Sequence, residues 1–463
     1  MMKPTICRYR NIRQAIYWRK MASRFFRSCS SVNKFSASAL HTACVHPLKY
    51  CLLLVTPIFF LSVAQSQVLL KPSEAGERVL LMPSDLAILE AGDARKDLPC
   101  TVTDRKPELG FDLRFHSGFD VTVPLSELSG SGELLTVVFR AYPLDDPSHP
   151  AFFAQHFQVP VIDEDAKGDA TLQGTLDIGE GKYHVDWLMR DRSERICSSS
   201  WDVEAELAPK DKPMPLFIAP HQISEATPQP FLDDGAGAGQ HAAKNNPPNN
   251  PLDNLTVKVL VNFAPQDSTS AALRRSDTDA LVSILKEIEH DPRVAHISLV
   301  AFNVGETRVF YRQETAEKID LPALGKALQS VRLGTVDVQR LGQKHSETDF
   351  LENLITTEVG ATKHPDAVIF AGPKVMLNAD VPQDGLRRIG DIECPVFYMN
   401  YILSPQAMPW KDSISHAIRT FKGTEFTISR PRDLWFSTSE MVSRIVRRKH
   451  EKALMTAAGG SGQ

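Results

Sequence analysis

The sequence predicts a multidomain protein: an N-terminal all-β sandwich followed by a C-terminal α/β domain with a doubly wound, mostly parallel sheet. Three observations predict it. From about Val79 to Leu207 the chain runs in short alternating segments cut by turns, with few helix-period runs. Residues 208–254 are rich in Pro, Gly, Ala and Asn. From Leu255 onward, continuous apolar runs alternate with amphipathic stretches, the pattern of buried strands covered by helices on both faces.

At 463 residues, 42% hydrophobic and 23% charged, the chain is long enough for two or three ordinary cores. Charge is distributed unevenly. Residues 1–64 carry ten Lys and Arg and no acid, so the remainder holds a net charge of −14 against −4 for the whole. The leader ends in CLLLVTPIFFLSVAQSQ, an apolar run from Cys51 to Val63 with a small-x-small site at Ser62-Val63-Ala64, and reads as an export signal, with Met21 as an alternative start. The run falls short of the ~20 residues that span a bilayer and is broken by Pro57, so membrane attachment is expected only through an uncleaved leader. A secreted, periplasmic or cell-envelope location follows. The acidic remainder argues against nucleic acid as a partner.

Within residues 68–207, TVTD, FDVTVPL, ELLTVVFRAY, FFAQHFQVPVI and ATLQGTLDI carry strand signals. In the stretch GEGKYHVDWLMRDRSERICSSSWDVEAEL, Tyr183, Val185 and Trp187 alternate with Lys182, His184 and Asp186. Asp191 to Glu194 then turn the chain back into Ile196 to Val203, a hairpin. Its Gly181-x-Tyr183-x-x-x-Trp187 resembles the late strands of immunoglobulin-like domains. Export permits a disulfide, and Cys100 with Cys197 is the possible pair, whereas Cys394 heads an apolar strand and reads as a buried free thiol. DEDAKGD places Asp163, Asp165 and Gly168 as a calcium loop would, but Lys167 and Gly174 stand where oxygen ligands are needed, so a solvated turn is expected. His149 and His156 lack companions at zinc spacing.

Residues 208–254 read as a linker, because this composition buries too little apolar surface to offset its ordering entropy, although PMPLF (Pro213 to Phe217) is apolar enough to dock locally. GAGAG, Gly235 to Gly239, is preceded by no strand and is no phosphate loop.

In residues 255–449 the predicted order is a strand at LTVKVLVNFA, then a helix at SDTDALVSILKEIEHD with Ser276 as N-cap. Two strands follow around Gly305, then helices at LPALGKALQSV and SETDFLENLITTEVG. Strands at DAVIFAGP and VFYMNYIL, a helix at WKDSISHAIRTFKG, a strand at EFTIS and a last helix at RDLWFSTSEMVSRIVRRK complete it. Residues 450–463 read as a disordered tail.

This order resembles the von Willebrand factor type A domain, a Rossmann-type fold, and more narrowly the divergent A-like domains of exported bacterial proteins. The resemblance implies a divalent ion, usually Mg²⁺, held by Asp-x-Ser-x-Ser after the first strand, by a Thr before a helix, and by an Asp after the fourth strand. Here those first positions fall on Asn262, Ala264 and Gln266, and the fourth strand ends in Ala371, Gly372 and Pro373, so the resemblance implies a degenerate domain without a metal or other cofactor. The alternative is a shifted Mg²⁺ site built from Asp267, Ser268, Ser270 and Thr348. Ligands of open α/β sheets lie at the carboxyl ends of strands, which nominates Asn262, Gln266, Asp267, Gly372, Pro373, Asn400 and Tyr401 as the binding surface.

No Gly-x-Ser-x-Gly elbow or evident nucleophile-base pair occurs. The basic RIVRRKH, Arg444 to His450, suits the last turn of a terminal helix. The expectation is an exported, non-catalytic protein that binds an unidentified protein partner. A metal-dependent adhesion domain or an envelope enzyme on the same sheet are the alternatives.

Overall fold

The computed structural model describes residues 68–70, 82–129, 134–226, 231, 253–267, 270, 272–331, 345–360, 365–389, 392, 394–407 and 409–460. The leader and Ser268 lie outside them. Residues Gln65–Gln463 form one compact unit.

Its first half is two antiparallel sheets packed face to face. One has the order β1-β5-β4-β7-β8, from strands Val68–Leu70 (β1), Ala151–Gln158 (β5), Leu134–Pro143 (β4), Gly181–Arg190 (β7) and Ile196–Ala205 (β8). The other runs β2-β3-β6-β9, from Thr101–Leu109 (β2), Phe115–Pro124 (β3), Asp169–Ile178 (β6) and Ile223–Glu225 (β9). Strand alternation drives one face of each sheet inward: Phe119 meets Phe139 and Trp187 edge-on at 5.6 and 5.3 Å, among Val121, Phe153 and Val185. The predicted hairpin forms, with Val185 opposite Trp201, and buried Asp191 closes its turn by accepting from the Arg195 backbone and guanidinium. The Tyr183 hydroxyl donates back to Gly179 O at 2.9 Å, in the manner of a tyrosine corner.

Cys100 and Cys197 are bonded, Cα to Cα 6.2 Å apart, and tie β2 to β8 across the two sheets; Cys394 is free and buried.

Three features depart from the expected boundaries. A helix, Pro83–Ala91 (α1), packs Leu89 on Val138, Leu188 and Ile196 outside the five-stranded sheet. The expected linker begins later than residue 208, because Met214, Phe217 and Ile218 are buried and β9 pairs with β6. The expected tail is helical as far as Gly460.

The second half is a three-layer α/β/α domain. Its six-stranded sheet runs β12-β11-β10-β13-β14-β15, from Leu255–Asn262 (β10), Val294–Asn303 (β11), Arg308–Ala316 (β12), Ala367–Pro373 (β13), Val396–Tyr401 (β14) and Thr424–Ile428 (β15). Every neighbouring pair is parallel except β11 with β12. One face is covered by Arg275–His290 (α2), Leu321–Leu328 (α3) and Pro431–Gly460 (α7), through side chains such as Leu281, Leu324 and Met441. The other carries Ser346–Val359 (α4), Gln383–Arg387 (α5) and Ser413–Arg419 (α6), through Leu351, Leu386 and Ile414. Helix α2 starts one residue ahead of the expected cap, Ser276; the Asp277 carboxylate instead accepts the Arg274 N–H at 3.2 Å. Among the described residues no helix is long and apolar enough to cross a membrane.

Candidate functional site

Strands β10, β13 and β14 end together, and Gly372 pairs in register with Asn400. Gly372 also touches β10: a Cβ there would stand 2.9 Å from the Asn262 Cβ, so the close approach of the two strand tips requires glycine. Six of the seven residues nominated as surface are in fact buried. Asn262, Asn400 and Tyr401 are 0% exposed, Gln266 6%, and Gly372 and Pro373 are enclosed as well, leaving Asp267 half-buried.

Most buried polar groups find partners, and these find them in the covering loops, in α2 and in β15, although Asn262 Nδ2 and Asn400 Oδ1 have none. Asn262 Oδ1 accepts the Val304 N–H at 3.2 Å. Gln266 receives the N–H groups of Leu403 and Ser404 at 2.8 and 3.2 Å and donates to Ser404 O at 2.7 Å, which staples that loop over the sheet. The Tyr401 hydroxyl donates to Asp277 at 3.3 Å, and burial with that neighbouring charge raises its pKa. Burial raises the Asp277 pKa as well.

The described residues of the shifted cation site have separate partners. Asp267 pairs with Arg274 at 3.4 Å, Ser270 Oγ donates to Ala272 O at 2.7 Å, and buried Thr348 donates to Ala379 O at 3.5 Å.

The side chains that do reach outward at this end come from the loops. Met376 is 51% exposed and Trp410 85%. Their two segments are fastened together: Val375 N donates to Asp412 Oδ1 (3.2 Å), Leu377 N to Ser413 Oγ (3.1 Å) and Ser413 N to Val375 O (2.7 Å), with Lys411 paired to Asp380 at 2.6 Å. Beneath lies a cluster of ionisable groups that the sequence reading missed. Tyr398 donates to Pro373 O at 2.9 Å, and Glu425 takes the Asn400 amide at 2.8 Å, the Ser415 hydroxyl at 2.7 Å and Lys374 at 3.3 Å. Burial, with help from the Glu425 charge, pushes the Asp412 carboxyl up to about 6 against the pull of two backbone N–H groups and the Tyr398 hydroxyl. The available signal was Asp412 itself, a capping residue directly before a helical run.

A second constellation stands on the sandwich. His116 Nδ1 lies 2.7 Å from Asp177 and Nε2 3.0 Å from Asp112, while Arg114 approaches Asp177 at 3.5 Å. Asp112, His116 and Asp177 are close enough together to suggest a metal centre. The geometry is otherwise, because the two carboxylates meet opposite nitrogens of one ring, whereas an ion can take only one of those lone pairs. The arrangement holds a proton instead: burial opposes the charge, but the hydrogen bonds from Asp112 and Asp177 outweigh it and push His116 up to about 10.

An open cleft of about 370 Å³ at another end of the sandwich holds Asp145 with His221 (3.1 Å) and Lys182 with Glu204 (3.2 Å), all exposed. These are solvated ion pairs. Of the other polar loops, Asp163 and Gly168 form a turn in which Asp163 O accepts from Ala166 N and Gly168 O from Leu125 N. His156 meets Thr136 at 3.1 Å and His149 meets Asp146 at 3.1 Å.

No protein-family profile matches this chain, and no curated protein matches it. Among solved structures, a β-glucuronidase of Bacteroides uniformis is 9% identical, the match covering 70% of this chain and 38% of that one, with a TM-score of 0.18. A mutant of the PilB minor pilin from Streptococcus sanguinis is 9% identical over 66% of this chain and 87% of that one, at 0.24. A cycloisomaltooligosaccharide glucanotransferase of Paenibacillus sp. is 10% identical over 67% and 45%, at 0.16. The chain thus spans well under half the length of the glucuronidase. Superpositions this loose carry no argument about function.

Proposed function

We propose that this chain is an exported, non-catalytic binding protein whose α/β domain is a divergent A-like domain without a metal site, and that it contacts a protein partner through its apical loops. One observation carries the reading. At the end of the first strand, where that family places its metal-binding carboxylate, stands Asn262, fully buried, neutral and committed to the Val304 backbone. Hard divalent cations need several converging oxygens with negative charge among them, and amides turned to backbone partners offer no such set. Support for the fold assignment comes from the order of the sheet, with its antiparallel edge strand β12. The contact then falls to Met376 and Trp410, since large exposed apolar side chains on fastened loops are what a partner can bury. The basic, apolar-ended leader supports export.

Two measurements test this. Calorimetric titration with Mg²⁺, Mn²⁺ and Ca²⁺ should give no site-specific heat; binding abolished by Asp267→Ala would restore the cation-dependent alternative. A photo-crosslinking residue at position 376 should trap a partner protein in a chelator-resistant adduct that is lost with Trp410→Ala. An adduct sensitive to chelator, or none in intact cells, would remove the reading.

A further inference from the structure

The two loops that present Met376 and Trp410 are joined over a buried acid whose hydrogen bonding is incomplete. Asp412 Oδ1 accepts from Val375 N at 3.2 Å and from Ile414 N at 3.1 Å. Its other oxygen, Oδ2, is buried and accepts nothing. Tyr398 lies beside it, fully buried, with a single hydroxyl proton that can serve either of two acceptors: Pro373 O, 2.9 Å away, or the Asp412 carboxylate, whose pKa that contact lowers by less than burial raises it. While the proton stays on Pro373 O, Tyr398 has only a lone pair to offer Asp412. A protonated carboxyl would complete the chain, with Asp412 Oδ2–H donating to Tyr398 Oη and Tyr398 Oη–H to Pro373 O.

We infer that Asp412 and Tyr398 form a proton-controlled fastener, which holds the loop bearing Met376 against the segment bearing Trp410 while Asp412 is protonated and loosens when it ionises. On ionisation the proton leaves to solvent. The carboxylate then competes for the Tyr398 proton, and Pro373 O, at the root of the Met376 loop, loses its donor. The hydroxyl rotor has two settings, and the acid selects between them.

Every charged group around the acid bears on the direction of this switch. Glu425 on β15 repels the ionised form, while Lys374 is neutralised by Glu425 at 3.3 Å. Lys411 is engaged by Asp380 at 2.6 Å, and His416 on α6 is in contact with Gln383 at 3.1 Å. Lys374 and Lys411 are thus each held by another carboxylate. The neutral form of Asp412 therefore belongs to the closed arrangement, and opening returns the acid to water, where it ionises more readily.

The linkage follows from that sign. A carboxyl held at about 6 when closed and near its ordinary value of about 4 when open makes opening about tenfold easier at pH 7.5 than at pH 5. The consequence for partner contact rests on the binding surface proposed above, but the fastener itself is read without a partner, so each can fail alone.

The test is amide hydrogen exchange on the full chain, corrected for the intrinsic pH dependence of exchange, at Val375, Leu377 and Ser413. Protection should fall by about tenfold from pH 5 to 7.5, while amides of the β10 core stay level. Asp412→Asn, which keeps the Oδ1 acceptor and cannot ionise, should abolish the step. Glu425→Gln removes the repulsion and should move the midpoint to lower pH, which keeps the test alive if the Asn variant folds poorly. A flat wild-type profile, or a step that survives Asp412→Asn, would overturn the inference.

Discussion

Asn262→Asp places a charge at the first strand tip by exchange of one amide for one carboxylate, and so probes why this tip is neutral. The side chain is 0% exposed; Oδ1 keeps its bond from Val304 N, and the new Oδ2 replaces an Nδ2 that has no hydrogen-bond partner. A carboxylate so enclosed has its pKa raised by 2–3 units, at about 1.4 kcal/mol each, giving a loss of roughly 3–4 kcal/mol at pH 7.5. Because the folded-state value is raised, the penalty is full above it and shrinks as protons return, to about half by pH 5. Urea unfolding of wild type and variant at the two pH values, with and without millimolar Mg²⁺, measures this. A cation site waiting only for its charge would give back about 2.7 kcal/mol once Mg²⁺ stood at a hundred times its dissociation constant. Such a rescue, or a variant as stable as wild type at pH 7.5, would refute the view that this tip is built for a neutral amide.

Further outcomes follow from the sandwich. Trp187→Ala removes a fully buried indole between Phe119 and its neighbours and should cost about 3–5 kcal/mol in chemical unfolding. Removing the Cys100–Cys197 bond with Cys100→Ser and Cys197→Ser frees a loop of 97 residues and should cost about 2–5 kcal/mol, read as a lowered unfolding midpoint with the near-ultraviolet signal of the folded state retained. His116→Gln tests the proton clamp through pH dependence. The folded-state value is raised, so the wild-type contribution is complete below about 6.5 and is lost as pH climbs towards 10; the variant should lack that alkaline decline, and an identical decline in both would dismiss the clamp.

The architecture was legible where periodicity is strong. The alternation of Tyr183, Val185 and Trp187 forecast the β7–β8 hairpin, and runs such as DAVIFAGP forecast strands buried on both faces, as β13 is along its whole length. Helix α1 went unread because PSDLAILEA is short and has no clear apolar stripe, and it is held by Leu89 meeting Val138 and Leu188, contacts between residues far apart in sequence. After Leu207 the prolines suggest a spacer, but the apolar PMPLF forecast local docking, and it docks: Phe217 N donates to Leu113 O and the ring takes Arg114 at 4.2 Å, partners that composition cannot name.

The site reading failed for one physical reason. Placing ligands at the carboxyl ends of strands identifies a level in the sheet, but whether a residue at that level faces solvent depends on what the following loops do. Here Gln266 draws 403–404 down over the tips with three hydrogen bonds, and Asp412 with Ser413 draws 375–377 against α6. Each bond enlists a polar side chain that the sequence presents as available for ligands. Among the side chains it leaves outside are the large apolar Met376 and Trp410, the second of which stands near enough to a strand end in the sequence to be read as apical. A neutral strand tip and an apolar pair on the loops are therefore two sides of one arrangement: polar groups of the tip are turned inward to hold the covering loops, and the surface at this end is made by those loops.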